Sequence, residues 1–495
     1  MTNAPAQLKG PSYGPAHVRR PVRTAAGRPP TVAGRAMVAT SQPLATWAGL
    51  RALNRGGNAA DAALAAAAMQ TVVEPMSTGI GGDCFAIVWK DGKADALDAA
   101  GPAPARIDDD TPATRGPRSV TVPGAVAGWA ELNARYGRLS LEECLADAID
   151  AAERGFAVAA ITAQLWAAAD SPAGMPAPAL GERVTATELA ATLRRIAEGG
   201  PDAFYRGPVA EAIASVSWLG EEDLRAYAPR WVEPLRHTYR GTEVLELPAP
   251  TQGVAALEAL GLLERMDGPT LPNRIRAARL AIEDALANVR DGVDVSHLLD
   301  PAHLDQRVQV QEQLVAEPLG GTVYIAAVDE DRMAVSFIQS LYMSFGSGVV
   351  APGTGVVLQN RGAGFGVQGR VVAGTRPYHT IIPGMMARDG DLYGPFGIMG
   401  GPIQAQAHMQ FVSSLVDDGL DVQAALDRPR FLVAGDGVHL EEGYWPEAAA
   451  LEEAGEQVVL DDNAHGFGGG QAVVVQGEAL VGGSDPRKDG HAGGF

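Results

Sequence analysis

The residues in this sequence that could carry chemistry begin with a threonine that follows two glycines, Gly320-Gly321-Thr322. A threonine hydroxyl is a weak nucleophile by itself. If the bond between Gly321 and Thr322 were cut, the new α-amino group would lie beside that hydroxyl. An α-amine has a pKa of about 7.7–8.0, so it can accept the hydroxyl proton near neutral pH. The triplet therefore predicts either a self-activating N-terminal nucleophile or the start of an ordinary strand.

The residues that follow Thr322 predict a hairpin that would hold this nucleophile. Residues 323–328 and 333–339 are rich in strand-forming side chains, and the polar stretch 329–332 separates them. Such a pattern is typical of two antiparallel strands joined by a short turn. A bond preceded by two glycines is also accessible and tolerates strained backbone angles. The hairpin would therefore carry the scissile bond at the start of its first strand.

Composition limits the function classes that are open to the chain. The 495 residues are 46% hydrophobic and 20% charged, which suffices for a large core. A formal net charge of −20 argues against a nucleic-acid partner or an anionic membrane. Two cysteines cannot form a disulfide framework, and neither a secretory signal nor an apolar run of bilayer length is evident. We therefore expect a cytoplasmic protein.

Helices and strands are predicted in both halves of the chain, without an internal repeat or a long linker. Two sheets between helical layers is the architecture that this pattern favours. Residues 300–313 are expected to form a loop leading towards Thr322, and 403–415 an amphipathic helix. The other predicted helices are 43–54, 58–73, 125–136, 141–152, 160–169, 188–197, 201–215, 221–227, 254–265, 274–289, 422–426 and 445–454. The other predicted strands are 85–89, 93–97, 238–247, 356–358, 380–383, 392–398, 431–433, 438–440, 471–475 and 479–481.

Eight short motifs, in matching order from about residue 36 onwards, resemble the γ-glutamyltransferase family. They are Gly56-Gly57-Asn58-Ala59-Ala60-Asp61-Ala62, Val73-Glu74-Pro75, Gly79-Ile80-Gly81-Gly82, Val122-Pro123-Gly124, the Thr322 hairpin, Phe345-Gly346-Ser347-Gly348, Gly400-Gly401 and Ser484-Asp485-Pro486-Arg487. The resemblance implies an α+β fold, the four-layer αββα sandwich of N-terminal-nucleophile hydrolases. It also implies a proenzyme, or zymogen, that cuts itself between Gly321 and Thr322. The products would be a large subunit, residues 1–321, and a small subunit, residues 322–495.

The same resemblance assigns roles to residues at matching positions. Thr322 would be the nucleophile, and its freed amine the base. Gly400 and Gly401 would offer backbone N–H groups to the oxyanion. Ser340 stands where the family has a threonine that hydrogen-bonds the nucleophile, so a hydroxyl is kept there. Asn360 lies in the loop behind the site and, like Thr380, is expected to bind substrate.

Two positions depart from the family members that bind a γ-glutamyl group. Those members hold the α-carboxylate with an arginine that follows a Leu-Asp pair, and Ala100 stands here instead. The aspartate that holds the α-amino group is replaced by Gly364. Removing one partner of a buried charge pair typically costs about 3–5 kcal/mol. The resemblance therefore implies a site unsuited to a γ-glutamyl amino acid.

Other positions of the site carry side chains that differ from those of the γ-glutamyl enzymes. A serine pair is replaced by His379 and Thr380, and an asparagine by Tyr342. The site also gains Arg361. Together with Tyr342 and His379 this arginine could bind a different carboxylate or amide, and a packing role for Arg361 is equally open.

The stretches 359–365 and 376–383 resemble the amidohydrolase branch of the family, which includes oxamate amidohydrolase and cephalosporin-acylase-like proteins. We predict an autoprocessed hydrolase that cleaves a small-molecule amide through an acyl-enzyme on Thr322. One alternative is a glutathione hydrolase or γ-glutamyltransferase. Another is an uncleaved, non-catalytic binding protein with the same fold.

The sequence also sets expectations about cofactors, assembly and access. No metal-ligand cluster or cofactor motif stands out, so no cofactor and no metal are expected. The only expected partners are the two subunits of one precursor, and a homo-oligomer stays open. Only residues 366–375 separate the two site stretches, which is too few to cover a deep pocket. We therefore expect an open cleft.

Overall fold

The computed structural model describes residues 27–310 and 321–495. The strands are β1 Thr31–Ala33, β2 Met37–Thr40, β3 Asp83–Lys90, β4 Lys93–Ala99, β5 Phe156–Ala157, β6 Arg183–Val184, β7 Arg230–Val232, β8 Leu235–Tyr239, β9 Thr242–Glu246, β10 Gly321–Val328, β11 Ala334–Tyr342, β12 Val350–Ala351, β13 Val356–Val357, β14 Gly384–Arg388, β15 Asp391–Met399, β16 Phe431–Ala434, β17 Gly437–Glu441, β18 Val458–Asp461, β19 Gly469–Gln476, β20 Ala479–Ser484 and β21 His491–Gly494.

Helices fill the stretches between these strands. The α-helices are α1 Pro43–Asn54, α2 Ala59–Val73, α3 Ala125–Tyr136, α4 Leu141–Arg154, α5 Ala160–Ala168, α6 Thr187–Gly199, α7 Asp202–Tyr205, α8 Pro208–Val216, α9 Glu221–Ala226, α10 Gly253–Glu264, α11 Leu271–Asn288, α12 Pro301–Arg307, α13 Ile403–Val416, α14 Val422–Asp427 and α15 Ala448–Glu453. Short 3-10 helices cover Pro117–Ser119, Ser296–Leu299, Arg361–Gln368, Glu442–Glu447 and Ala464–Phe467.

Two seven-stranded sheets organise the molecule. Sheet A has the order β21-β2-β10-β11-β3-β4-β7, and sheet B has the order β1-β20-β19-β15-β14-β9-β8. The predicted hairpin is formed by β10 and β11, in which Ile325 pairs with Phe337. Antiparallel pairing with β2 on one side and β3 on the other places this hairpin at the centre of sheet A. Both of its strands are consequently buried along their whole length.

The two sheets pack face to face, and helices cover both outer faces. Tyr324 of β10 lies against Gly397 of β15, where an added Cβ would come within 2.4 Å of the ring. Apolar residues of both sheets, including Phe85, Ile338 and Met385, form the core between them. Helices α1 to α9 pack on sheet A, and α10, α11 and α13 pack on sheet B. The fold is therefore the α+β, four-layer αββα sandwich that the sequence predicted.

Helix α2 illustrates how local sequence sets an element of this sandwich. The Asn58 side chain accepts hydrogen bonds from the backbone of Ala60 and Asp61, and the Asp61 carboxylate accepts one from the Asn58 backbone. This capping box fixes the start of the helix, as its sequence predicts. All fifteen residues of α2 are buried, because their small side chains allow close packing on every side.

Two predictions about local structure are wrong. The expected loop 300–313 contains helix α12, which begins at Pro301, a residue well suited to a first helical position. The end of that stretch, 311–313, lies outside the described residues. The expected strand 380–383 is irregular, because the Gln252 side chain binds the Thr380 carbonyl and β14 begins only at Gly384.

The C-terminal half also differs from the sequence-based expectation at α13 and β21. Helix α13 is buried on all sides from Ile403 to Leu415 rather than amphipathic, since it packs on β15 and is flanked by α10, α11, α14 and β16. Strand β21, at one edge of sheet A, was not predicted because its His-Ala-Gly-Gly sequence lacks strand-forming residues. Across residues 27–310 and 321–495, every helix is too short or too polar to traverse a bilayer.

Candidate active site

Thr322 occupies an irregular position in sheet A. It is the second residue of β10, and the register between β10 and β11 shifts between Gly321 and Val323. Gly321 pairs with Tyr342, whereas Val323 pairs with Gln339. A bulge of this kind redirects side chains at the end of a strand and is frequent beside active sites. Thr322 is only 3% exposed, so its hydroxyl faces the interior.

The Ser340 hydroxyl lies between the threonine hydroxyl and the bond that precedes it. Thr322 Oγ1 donates to Ser340 Oγ at 3.2 Å, and Ser340 Oγ donates to the Gly321 carbonyl oxygen at 2.6 Å. The Tyr342 backbone N–H and the Arg361 Nη2 also donate to Ser340 Oγ, at 2.8 and 3.4 Å. Two lone pairs cannot satisfy three donors equally, and the 3.4 Å contact is the longest. Ser340 is thus placed to polarise the Gly321 carbonyl.

Tyr342 ends β11 in a backbone conformation that is unusual for an aromatic residue. Its φ of 79° lies in the left-handed region. This conformation directs the Tyr342 N–H towards Ser340, and it places the Tyr342 ring against the guanidinium of Arg361. The Cζ of Arg361 lies 4.2 Å from the centre of the Tyr342 ring, a cation–π contact. Strain of this kind persists only where the surrounding structure enforces it, and it concentrates at functional sites.

Arg361 is the cation of this site, and its side chain is fully buried. Its Nη1 donates to Thr380 Oγ1 at 3.3 Å. Within the described part of the chain it makes no ion pair, and its Nε lacks a hydrogen-bond partner. Burial lowers the pKa of Arg361 to about 10, against the opposing effects of Tyr342 and Asp83. The guanidinium therefore stays charged at neutral pH, and an unpaired buried charge of this kind favours an anionic ligand.

His379 is held by partners on both ring nitrogens. Its Nδ1 lies 2.9 Å from the Pro377 carbonyl, and its Nε2 lies 3.0 Å from Asp83 Oδ2. A carbonyl only accepts, so Nδ1 carries a proton, and one further proton lies between Nε2 and Asp83. Burial, followed by the charge of Arg361, lowers the pKa of His379. Both ring nitrogens thus have partners within the protein, and a contact between His379 and a substrate stays a prediction.

The Asp83 carboxylate that holds His379 was not assigned a role from the sequence. Its other oxygen accepts from the Gly101 and Gly124 backbones, at 3.2 and 3.0 Å, and from Gln359 Nε2 at 2.9 Å. Through these contacts Asp83 links β3 both to the segment that carries Arg361 and to His379. The only local signal for it is its position directly after the Gly79-Ile80-Gly81-Gly82 motif.

Asn360 connects three loops rather than pointing at a substrate. Its Oδ1 accepts from the Met343 backbone at 3.0 Å, and its Nδ2 donates to the Thr114 carbonyl at 2.7 Å. The Asn360 backbone N–H donates to the Leu341 carbonyl at 3.2 Å. The side chain is fully buried. Asn360 consequently fixes the start of the 3-10 helix that carries Arg361, and its contact with substrate stays a prediction.

Gly400 and Gly401 form the turn between β15 and α13. Their φ angles are 135° and 69°, in the range that favours glycine. An added Cβ on Gly400 would lie 2.8 Å from the Gly468 Cα. Gln252 Nε2 donates to the carbonyls of Thr380 and Gly401, at 2.6 and 3.3 Å.

Gln252 thereby completes a chain of hydrogen bonds through the site. The chain runs from Thr322 through Ser340, Arg361 and Thr380 to Gln252 and the glycine pair. No role in the site was assigned to Gln252 from the sequence. No local pattern marks it, because its partners lie more than a hundred residues away along the chain.

Two positions singled out from the sequence, Gly364 and the surroundings of Ala100, are occupied by the protein's own atoms. An added Cβ on Gly364 would lie 2.4 Å from the Tyr378 carbonyl oxygen. Near Ala100, the Asp98 carboxylate is buried and ion-paired with Arg376, which also pairs with Asp291 at 2.6 Å. Burial lowers the pKa of Arg376 to about 10. The charge of Arg376 is thus compensated by two carboxylates of the protein itself.

Access to Thr322 differs from the open cleft that we expected. Thr322, Ser340 and Arg361 are all nearly or fully buried in the intact chain. The segment 366–375 does not account for this, since it packs on residues 103–110. The Val371 N–H donates to the Asp110 carbonyl at 2.7 Å, for example. The nucleophile of the uncut chain is enclosed, and the expectation of an open cleft is wrong for this form.

The chain is similar to known proteins over most of its length. Residues 45–495 match the sequence profile described as gamma-glutamyltranspeptidase. The chain is 34% identical to the oxamate amidohydrolase proenzyme of Klebsiella pneumoniae subsp. pneumoniae, over 93% of this chain and 98% of that protein. It is 33% identical to the glutathione hydrolase-like YwrD proenzyme of Bacillus subtilis, over 93% and 98%. A solved structure of a cephalosporin acylase from Bacillus halodurans covers 96% of this chain and 98% of its own, with a TM-score of 0.90 and 39% identity.

Proposed function

Because the chain belongs to the gamma-glutamyltranspeptidase family, whose members act on amide bonds, we propose that it is a threonine amidohydrolase activated by self-cleavage. Thr322 is the nucleophile. The observation that carries the proposal is the run of hydrogen bonds from Thr322 Oγ1 to Ser340 Oγ, and on to the Gly321 carbonyl. These hydrogen bonds connect the attacking oxygen of Thr322 with the Gly321 carbonyl that this oxygen must attack.

Self-cleavage uses Thr322 on its own chain. Its hydroxyl oxygen bonds to the Gly321 carbonyl carbon, and the C–N bond breaks as the nitrogen takes up a proton. Water then hydrolyses the resulting ester, which leaves a Gly321 carboxylate and a free Thr322 amine. Ser340 stabilises the developing oxyanion through the hydrogen bond it already makes to Gly321. The products are residues 1–321 and 322–495.

The same hydroxyl then acts on the substrate. The freed α-amine accepts the proton of Thr322 Oγ1 while the oxygen attacks the amide carbon. The backbone N–H groups of Gly400 and Gly401 stabilise the oxyanion, and the amine leaves with a proton. Water attacks the acyl-enzyme in the second half of the reaction and releases a carboxylic acid.

The substrate class follows from the surroundings of Arg361. This buried cation has no carboxylate partner in the described residues, and the hydroxyl of Thr380 lies beside it. Arg361 Nη2 is 3.4 Å from Ser340 Oγ, which is itself 3.2 Å from Thr322 Oγ1. A carboxylate bound by Arg361 must therefore lie close to the reacting carbonyl. We propose an amide with a short, anionic acyl group, and the similarity to an oxamate amidohydrolase supports this class.

A panel of amides tests this function directly. Oxamate and oxamide form a matched pair, one anionic and one neutral, and glutathione represents the γ-glutamyl alternative. We expect two chains on a denaturing gel, a new N-terminus at Thr322, and preferential turnover of oxamate. Thr322→Ala should give one uncut, inactive chain. Efficient hydrolysis of glutathione would favour the γ-glutamyl alternative, and an uncut wild-type chain without turnover would favour the non-catalytic one.

A further inference from the structure

Three helices on the outer face of sheet B bring together a second cluster of ionisable side chains. Glu258 comes from α10, Asp284 from α11 and His303 from α12. His303 Nε2 lies 3.0 Å from Glu258 Oε1 and 3.1 Å from Asp284 Oδ2. One ligand atom from each of the three residues lies within 4.8 Å of the others. None of the three takes part in the hydrogen-bond chain around Thr322.

Glu258 is incompletely satisfied at this position. Its side chain has no solvent exposure, and its Oε2 has no hydrogen-bond partner among the residues described. Burial, followed by the neighbouring Asp284, raises the pKa of Glu258 well above the ordinary value. A buried carboxylate with an unused oxygen is costly unless a cation or a donor binds it. The other oxygen of the same Glu258 carboxyl group, Oε1, contacts His303 within the cluster.

Carboxyl groups predominate in and beside the cluster. Glu258, Asp284 and the neighbouring Glu283 each bear one, and Arg307 contacts two of them, Glu283 at 2.6 Å and Asp284 at 2.8 Å. Among the described residues no donor reaches Oε2 of Glu258, so this oxygen is left for a cation.

The donor set indicates which ion would bind. One imidazole nitrogen and two carboxylate oxygens are ligands that suit Zn²⁺ and related first-row ions, at about 2.0–2.2 Å. Three donors within 4.8 Å of one another reach this geometry through small side-chain rotations. The His303 side chain is 26% exposed, so the ion and a water ligand can enter from that side. Ca²⁺ and Mg²⁺ prefer all-oxygen sites and fit less well.

We propose that Glu258, Asp284 and His303 bind one divalent transition-metal ion, of which Zn²⁺ is the probe of choice, with water as the fourth ligand. The ion joins α10, α11 and α12, and α12 is the last described helix before the nucleophile strand β10. The role of the ion is structural: it supplies a partner for Oε2 of Glu258 and holds α12 on the outer face of sheet B. Sequence spacing does not reveal it, because each ligand belongs to a different helix.

Metal binding to the purified, EDTA-treated protein tests this site. We expect one equivalent of Zn²⁺ to bind and to raise the melting temperature, and one equivalent of Co²⁺ to give the visible spectrum of a tetrahedral site. Glu258→Gln and His303→Ala should each weaken Zn²⁺ binding at least tenfold. Asp305→Asn is the matched control, since this exposed residue of the same helix pairs with Arg265 and should leave binding unchanged.

Stability without metal provides a second readout. Glu258→Gln keeps the shape of the side chain and one oxygen acceptor, so the metal-free variant should melt close to the metal-free wild type. Addition of Zn²⁺ should then stabilise the wild type but not the variant. The proposal is overturned if the wild type binds no Zn²⁺, or if both ligand variants bind it as tightly as the wild type does. An equal loss in Asp305→Asn overturns it as well.

Discussion

Ser340 donates a 2.6 Å hydrogen bond to the carbonyl oxygen of Gly321 while it accepts one from the hydroxyl of Thr322. One side chain thus contacts both the proposed nucleophile and the carbonyl of the bond that we propose is cut. In this proposal Ser340 stabilises negative charge on the Gly321 oxygen before cleavage. After cleavage it would orient the same Thr322 hydroxyl towards a substrate. Its two contacts account for both steps of the proposed function.

Removal of this hydroxyl should slow self-cleavage. We expect Ser340→Ala to lengthen the half-time of processing by about a hundredfold, the typical effect of losing one donor to an oxyanion. A denaturing gel sampled over time after purification measures the change. Ser336→Ala is the matched control, because Ser336 is equally buried in β11 but bonds the hydroxyl of Tyr324 instead. Equal half-times for Ser340→Ala and the wild type would refute this role.

Replacement of Arg361 should separate anionic from neutral amides. A carboxylate without its cation in this buried site costs roughly 3–5 kcal/mol, or a factor of hundreds to thousands. We therefore expect Arg361→Ala to lower kcat/KM for oxamate by at least a hundredfold and to leave the value for oxamide within tenfold. Arg370→Ala, an exposed arginine nine residues further along the chain, should change neither. A uniform loss on both substrates would instead indicate a structural role.

A side chain on Gly400 should disturb the proposed oxyanion donors. Alanine there would meet the Gly468 Cα and the Ile403 Cγ2 at 2.8 Å, at a φ of 135°. Strain of this kind costs about 1–3 kcal/mol, and relief of it would move the N–H groups. We expect Gly400→Ala to lower the melting temperature and to reduce kcat by at least tenfold. Gly366→Ala, where the added Cβ meets open space, serves as control. Wild-type kcat in Gly400→Ala would contradict the assignment.

The buried Glu74 should make stability depend on pH. Burial is the main cause that raises its pKa from 4.5 to about 7, while hydrogen bonds from Ser41 and Gln70 and the charge of Lys488 oppose the rise. Because the folded pKa exceeds the unfolded one, the contribution of Glu74 to stability is full below about pH 4.5. It is lost as the pH rises through 7, at a cost of about 3 kcal/mol.

Glu74→Gln should remove this dependence. The amide keeps an acceptor for Ser41 and cannot ionise. Denaturant unfolding should show that the variant gains stability over the wild type between about pH 4.5 and 8, by up to about 3 kcal/mol. The lost attraction between Glu74 and Lys488 reduces this gain. A difference between variant and wild type that stays constant over this range would show that Glu74 does not titrate within it.

The sequence alone was sufficient to predict structural features that depend on residues close together along the chain. The helix that starts at Asn58 and the hairpin that follows Thr322 each depend on local residue types. Their positions in the structure match the prediction. Hydrophobic patterns also sufficed for two sheets between helical layers, because each layer must bury one face. The roles of Thr322, Ser340, Gly400 and Gly401 in catalysis remain predictions.

Only the tertiary structure decided which side chains meet. Asp83 and His379 are separated by 296 residues, yet they share a hydrogen bond that no local pattern predicts. Arg361 could have been a surface or packing residue on sequence grounds. Its burial beside Ser340, without a carboxylate partner in the described chain, follows from the way β11, the 3-10 helix and the Thr380 segment converge. Such convergence depends on packing between elements far apart along the chain, and for that reason no local pattern of residues encodes it.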